Sequence, residues 1–310
     1  MARRIERDVA LVSERAAGRP VRESNGRFGG GQYRTSGASS VASPERRFNF
    51  HPVLDDLPEE QALTIEINGR PAATLVCSPI AIRELAVGWV FARGVVDGAA
   101  GIGRISEYPG RVSVMVDDAT EIPGSGLATC AGRDAGRSPF GYGVAAPSPL
   151  VDLDIEPAER TGWTMERDRF LTVTESLFAR LQSDRAAGNN HFAAATDGAA
   201  TCIAARDLHM QNAIEKVIGW TVLQEHDRAQ LMLCVTGQLT AALIATIWRA
   251  GFPLVVSTRA PTADAVDLAE AAGMTIVGCM LEPDRSVYCH GWRLPAGDDD
   301  QPAISARHND

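Results

Sequence analysis

Residues 231–279 read LMLCVTGQLTAALIATIWRAGFPLVVSTRAPTADAVDLAEAAGMTIVGC, and this stretch decides the fold. Three apolar runs, 231–235, 254–257 and 275–279, are bounded by turn residues and are too short for helices. Between them lie two segments of helical period, 239–250 ending before Gly251 and 262–272 ending at Gly273. This β-α-β-α-β alternation implies a parallel sheet with right-handed crossovers, so the fold class expected is α/β.

Working outward, two more helices are expected upstream. One covers 165–182, with Phe170, Val173, Leu177 and Leu181 on one face, and the other covers about 210–224. Nearer the start, Leu63-Thr64-Ile65-Glu66-Ile67 alternates with period two, as does the segment ending Thr74-Leu75-Val76-Cys77. Asn68-Gly69 between them is a strong hairpin signal. A helix should follow, capped by Ser78, with Pro79 in its first turn and Gly94 at its end. Residues 111–116 read as another strand. The expected organisation is therefore a smaller, mainly β part over 49–150 and an α/β domain over 151–295. Residues 1–48 read as a basic tail with too little apolar surface to fold, and 296–310 as a second loose tail. Glu6, Asp8 and Glu14 speak against a transit peptide.

Composition limits the function classes. The chain has 310 residues, 45% of them hydrophobic, and a net charge of -9. Ten arginines and five acids in residues 1–50 put +5 there and -14 on the remainder, which argues against a nucleic-acid groove. No apolar run reaches 18 residues, so no membrane span is expected. Six widely spaced cysteines suit a reducing cytoplasm better than a disulfide framework. No C-x-x-C pair occurs, and a structural metal is not expected.

The best nucleophile candidate is Cys130. It sits within 121–149, a segment carrying ten glycines and prolines, with Arg133 and Arg137 close behind. Nearby cations lower a thiol's pKa, and an irregular segment gives access; an inconsequential exposed cysteine is the competing reading. Cys77, Cys202, Cys234 and Cys279 stand in apolar surroundings and read as core residues. Two places look suited to anions. Thr236-Gly237-Gln238-Leu239-Thr240 turns from strand into helix, where free N–H groups favour phosphate, although an ordinary capped turn reads the same way. Asn212-Ala213-Ile214-Glu215-Lys216 holds the only lysine in a chain with twenty-nine arginines. That ammonium could meet a phosphate, fix the chain around Asp207, or stand in solvent beside Glu215.

Taken together these segments resemble the FdhD family, the formate dehydrogenase accessory sulfurtransferases, over about residues 60–294. The likeness rests on Asn68-Gly69, Ser78-Pro79, Glu84 to Gly88, Gly94, Thr196-Asp197-Gly198, Asp207 with Asn212-Ala213 and Lys216 to Gly219, Ala260-Pro261-Thr262, and Val287 to Leu294. Departures accompany it. Arg133 stands where the family has the second cysteine of its loop C-x-x-C, Ala200 where it has histidine, and Cys279 where it has phenylalanine. The block His209-Met210-Gln211 and the turn Thr236-Gly237-Gln238 each lack a family arginine.

The resemblance implies a sulfur relay. A cysteine desulfurase would load Cys130 with a persulfide, and the sulfur would pass to the molybdenum of a bis-pterin guanine dinucleotide cofactor destined for formate dehydrogenase or a related molybdoenzyme. The cofactor is then carried substrate, with a guanine nucleotide as a possible ligand. Binding would fall to Cys279, Met280, Leu281, Glu282, Pro283 and Asp284, with Thr236, Asn212 and Lys216. It also implies a homodimer and a cytidine-deaminase-like α/β domain. Zinc deaminase activity itself is not expected, because neither H-x-E nor C-x-x-C occurs. The alternative is a non-catalytic FdhD-like paralogue that binds a pterin cofactor or a molybdoenzyme.

Overall fold

The computed structural model describes residues 10–11, 59–117, 163–184, 190–282 and 285–295. The strands are β1 (Ala10–Leu11), β2 (Gln61–Ile67), β3 (Arg70–Cys77), β4 (Ile102–Tyr108), β5 (Arg111–Val116), β6 (His191–Thr196), β7 (Thr201–Asp207), β8 (Met232–Val235), β9 (Leu254–Ser257), β10 (Thr275–Gly278) and β11 (Ser286–Cys289). The helices are α1 (Ile82–Ala92), α2 (Arg167–Asp184), α3 (Met210–Leu223), α4 (Ala241–Arg249) and α5 (Ala263–Ala271). Two mixed sheets result, a four-stranded one of order β3-β2-β5-β4 and a seven-stranded one of order β1-β11-β10-β9-β8-β6-β7.

The β-α-β-α-β expectation holds: β8, β9 and β10 pair in parallel, with α4 and α5 as the connecting helices. All four residues of each of these strands are buried, which explains the continuous apolar runs. Thr240 and Thr262 cap the two helices through their side-chain oxygens. The β6–β7 hairpin and β11 join the same sheet in antiparallel sense.

The first hairpin forms as its sequence dictates. Asn68 and Gly69 both have positive φ, 49° and 76°, as a two-residue turn of the primed type requires. The Asn68 amide then pins the turn to β5: its Nδ2 donates to the Val116 carbonyl at 3.1 Å, and its Oδ1 accepts from the Val116 N–H at 2.9 Å. Gly94 ends α1 as expected, at φ 68°, with the N–H of Gly94 and of Val95 reaching back to Phe91 and Val90. The helix start differs from expectation. Its N-cap is Ala81, at φ 53° and without a side-chain cap, because the Ser78 hydroxyl is committed elsewhere.

Helix α1 packs on α3, and the two glycines Gly88 and Gly219 set the distance. A Cβ on Gly88 would lie 1.8 Å from the Glu215 carbonyl oxygen, and one on Gly219 would lie 1.9 Å from that of Glu84. Backbone therefore meets backbone at this crossing. The larger core spans this contact, joining Leu63, Ile65 and Val114 of the small sheet to Ile214, Ile218, Leu233 and Val255. The opposite face of the large sheet is covered by α2 through Phe170, Leu177 and Phe178.

Candidate functional site

The candidate residues collect at the end of the seven-stranded sheet where β8, β9 and β10 finish. Open α/β sheets bind ligands at this end. Thr236 follows β8, and its hydroxyl accepts from the Phe192 N–H at 2.8 Å, holding the start of β6. Gly237 has φ 100° and donates its N–H to the Thr258 hydroxyl at 2.9 Å. A Cβ at Gly237 would lie 3.2 Å from the Met210 sulfur and 3.5 Å from the His191 ring, so both side chains border the turn. Ser257 donates its hydroxyl to the Gly237 carbonyl, and its own carbonyl accepts from the Met280 N–H at 3.2 Å. One hydrogen-bonded rim thus links Thr236 and Gly237 with the segment after β10.

That segment begins at Cys279, which has φ 58° and is half-buried. Its sulfur lies 3.9 Å from the Tyr288 hydroxyl. Burial, then the neighbouring Cys279 and the Glu282 charge, push the Tyr288 phenol up to about 12, so it stays protonated and can donate. Gly278 has no room for a side chain, with the Tyr288 ring 2.8 Å and the Arg259 carbonyl oxygen 3.0 Å from a built Cβ. Leu281 and Glu282 are exposed, while Met280 is buried. Pro283 and Asp284 lie outside the described residues.

Asn212 and Lys216 reach the same end of the sheet but face inward. The Lys216 ammonium is 1% exposed and pairs with Asp207 at 2.6 Å; it also donates to the Ser78 hydroxyl at 3.0 Å and the Arg206 carbonyl at 3.1 Å. The Asn212 amide donates to Asp207 at 2.9 Å and to the Val76 carbonyl at 2.8 Å. Asp207 further accepts from the N–H groups of Ser78 and His209, each at 3.1 Å. This buried knot ties the end of β3 to β7 and α3. Of the three readings of Lys216, it matches the one in which the ammonium fixes the chain around Asp207. Glu215 is likewise no surface neighbour: it is 1% exposed and accepts from Arg93 at 2.9 Å and Gln211 at 2.7 Å. Four strand spacings separate β7 from β10, roughly 19 Å, so this knot and Cys279 stand at opposite sides of the site.

The Thr196-Asp197-Gly198-Ala199-Ala200 turn lies at the other end of the sheet, since Thr196 pairs with Met232 at the start of β8. Asp197 accepts from the N–H groups of Ala200 and Ala199, and these bonds hold its carboxyl below the usual carboxylate range.

The described cysteines behave largely as core residues. Burial pushes the Cys77 thiol up to about 11, with the Asp207 charge adding to it, and pushes Cys234 up to about 12. Burial, then the Asp197 charge, also raises Cys202. Cys289 is buried and donates to the Met274 carbonyl at 3.1 Å. Cys130 lies outside the described residues. Among those described, no group of three or more His, Cys, Asp or Glu side chains could hold a metal, and no helix is long and apolar enough to cross a membrane.

Asp207, which the sequence reading names as a partner for Lys216, is the acceptor at the centre of the knot. Two further side chains escaped that reading. Tyr288 sits against Cys279. Arg293 is fully buried, donating to the Gly273 carbonyl at 2.8 Å and the Thr275 hydroxyl at 3.1 Å, and so fastens the last described segment to the loop before β10.

The FdhD/NarQ family model matches residues 58–295, more than half of the chain and all but one of its described strands. The chain belongs to the FdhD/NarQ family. A sulfur carrier protein FdhD from Bacillus pumilus is 26% identical over 256 residues, covering 80% of this chain and 94% of that protein. One from Bordetella parapertussis is 28% identical over 246 residues, covering 78% of this chain and 88% of its own length. The crystal structure of a candidate formate dehydrogenase accessory protein from Desulfotalea psychrophila shares the fold. Its TM-score is 0.60 at 18% identity, over 76% of this chain and 90% of that one. The two curated relatives are named sulfur carrier proteins, and the mixed α/β fold found here is shared with the solved accessory protein.

Proposed function

We propose that this chain relays sulfur through Cys130, taking it from a cysteine desulfurase and passing it to the molybdenum of a bis-pterin guanine dinucleotide cofactor for formate dehydrogenase. The observation that supports this most is the family match combined with the state of the other thiols. Cys77, Cys234 and Cys289 are buried, the first two raised to about 11 and about 12, so thiolate chemistry falls to a cysteine outside that core. Cys130, with Arg133 and Arg137 nearby in the sequence, has the surroundings that favour a thiolate.

In the loading step the Cys130 thiolate attacks the outer sulfur of the desulfurase persulfide. A new S–S bond forms, the old one breaks, and its electron pair leaves on the desulfurase thiolate. In delivery the S–S pair stays on Cys130 as thiolate. The sulfane sulfur becomes a sulfido ligand, drawing two electrons from the substrate metal. The cofactor would lie along the rim from Thr236 to the segment 279–284. Asn212 and Lys216 serve it indirectly, by holding Asp207 and the start of α3 at the β7 side of the site. Arg133 and Ala200, where the family has cysteine and histidine, favour the second reading, a non-catalytic binder of cofactor or molybdoenzyme.

The test is direct. Incubate the protein with a cysteine desulfurase and cysteine, then map added sulfur by mass spectrometry without reductant. Sulfur is expected on the Cys130 peptide and absent from Cys130→Ser. Wild type that accepts no sulfur yet binds cofactor would replace the carrier reading with the binder reading.

A further inference from the structure

On the α2 face of the large sheet, away from the α1–α3 side, a cavity of about 270 Å³ lies between α2 and the β10–β11 pair. Its walls are mostly apolar, with Phe170, Val277, Met280 and Leu294 among them. Arg167 and Arg285 also line it, and a terminal nitrogen of Arg167 donates to the Leu294 carbonyl at 3.4 Å. Arg285 is only half used. One terminal nitrogen pairs with Glu175 at 2.5 Å, while its Nε is buried without a hydrogen-bond partner among the described residues. A buried N–H left bare is costly, and a charged donor more so. An acceptor entering the cavity would remove that cost.

We propose that this cavity binds a medium-chain carboxylate, its hydrocarbon body among the apolar walls and its carboxylate on Arg285 and Arg167. The volume sets the length. A cavity of roughly 150 Å³ takes benzene, with its six carbons, so 270 Å³ takes about eleven non-hydrogen atoms. Octanoate has about that number. A small inorganic anion would leave the apolar walls unfilled, and a neutral hydrocarbon would leave the Arg285 Nε bare. Carboxylates also accept from arginine with matched planar geometry. This goes beyond the sulfur-carrier reading and does not depend on it. Among the described residues of the segment 279–284, only Met280 lines the cavity.

The probe is octanoate, titrated calorimetrically into the full chain, with 1-octanol as the uncharged control. Saturable one-to-one binding with Kd at or below about 1 mM is expected, at least tenfold tighter than octanol. Arg285→Met, which keeps the apolar stem, should weaken octanoate at least tenfold and leave octanol unchanged. Leu171→Trp, which fills the cavity from α2, should weaken both. Circular dichroism melts identify any variant that fails to fold, and the octanoate-to-octanol ratio on wild type stands without variants. No saturation with wild type, equal affinity for octanol, or an unaffected Arg285→Met would each overturn the proposal. Displacement of octanoate by GDP would assign the cavity to a nucleotide site and overturn it too. A tenfold gain on replacing Asp298, Asp299 and Asp300 by Asn would assign it to the chain's own acidic segment, with the same consequence. Loss of sulfur loading in Cys130→Ser tests the carrier reading and leaves these outcomes untouched.

Discussion

Replacing Lys216 with Met should cost about 3 kcal/mol of stability, the lower end of the cost of breaking a buried ion pair by removing one partner. The lower end applies because Asp207 is not left bare. Without the ammonium it still accepts from the N–H and hydroxyl of Ser78, the N–H of His209 and the amide of Asn212, four bonds between 2.9 and 3.1 Å. The Arg206 carbonyl loses a donor at 3.1 Å. In a chain of this size about 3 kcal/mol lowers Tm by roughly 6–12 °C. Urea unfolding of wild type, Lys216→Met, Asp207→Asn and the double variant completes a cycle. The double variant should be less destabilised than the sum of the singles by about 1 kcal/mol or more, because neither charge is then stranded. Lys216→Arg should also destabilise, since a planar guanidinium does not fit a pocket built around one nitrogen. A Lys216→Met protein less than about 0.5 kcal/mol below wild type would refute the knot, because that is the range of surface substitutions. Should that same protein lose guanine nucleotide binding, the lysine faces a ligand after all.

Other perturbations separate packing from chemistry. Gly88→Ala or Gly219→Ala places a methyl 1.8 or 1.9 Å from a backbone oxygen, so each should cost about 3 kcal/mol or more, read as a Tm drop or loss of soluble protein. Native alkylation at pH 8 followed by peptide mapping should leave Cys77 and Cys234 unmodified, since thiols raised to about 11 and about 12 are about 0.1% ionised or less at that pH. The Asp197 carboxyl is depressed in the fold, so its stabilising effect is full above the ordinary carboxylate value and is lost as pH falls through the depressed one. The stability gap between wild type and Asp197→Asn should therefore be wider at pH 7 than at pH 2, measured by thermal melts.

How much of this was legible depends on which forces fix each element. The strands β8, β9 and β10 announce themselves because burial on both faces demands continuous apolar runs, and the capping threonines with Gly251 and Gly273 punctuate the helices between them. The β6–β7 hairpin was missed. His191-Phe-Ala-Ala-Ala-Thr and the alanines of β7 have weak strand preference, and only pairing with β8 decides their state. Ser78 misled because a serine before a helical run reads as a cap, while its real partner, Asp207, is 129 residues away. The lone lysine sets Lys216 apart in the sequence, yet the inward direction of Lys216 and Asn212 depends on partners in β3 and β7, which no local pattern encodes. The rim from Thr236 to Cys279 was within reach, since strand ends in a parallel sheet must gather on one side. Tyr288 was not, because β11 returns antiparallel and brings it there.

The glycine crossing of α1 and α3 also bears on how the molecule breathes. With two backbones in contact through Gly88 and Gly219, neither helix can open by a partial slide, and the small sheet cannot peel away from the larger one without exposing the shared core. Amide hydrogens near the crossing should then exchange with solvent only when the whole unit unfolds, at the slowest rate in the chain. The Ala81 start of α1, lacking a side-chain cap, should exchange through a much smaller opening. A deuterium-exchange profile of this kind would make the two sheets one cooperative body, a fixed base against which any sulfur-bearing segment must do its own moving.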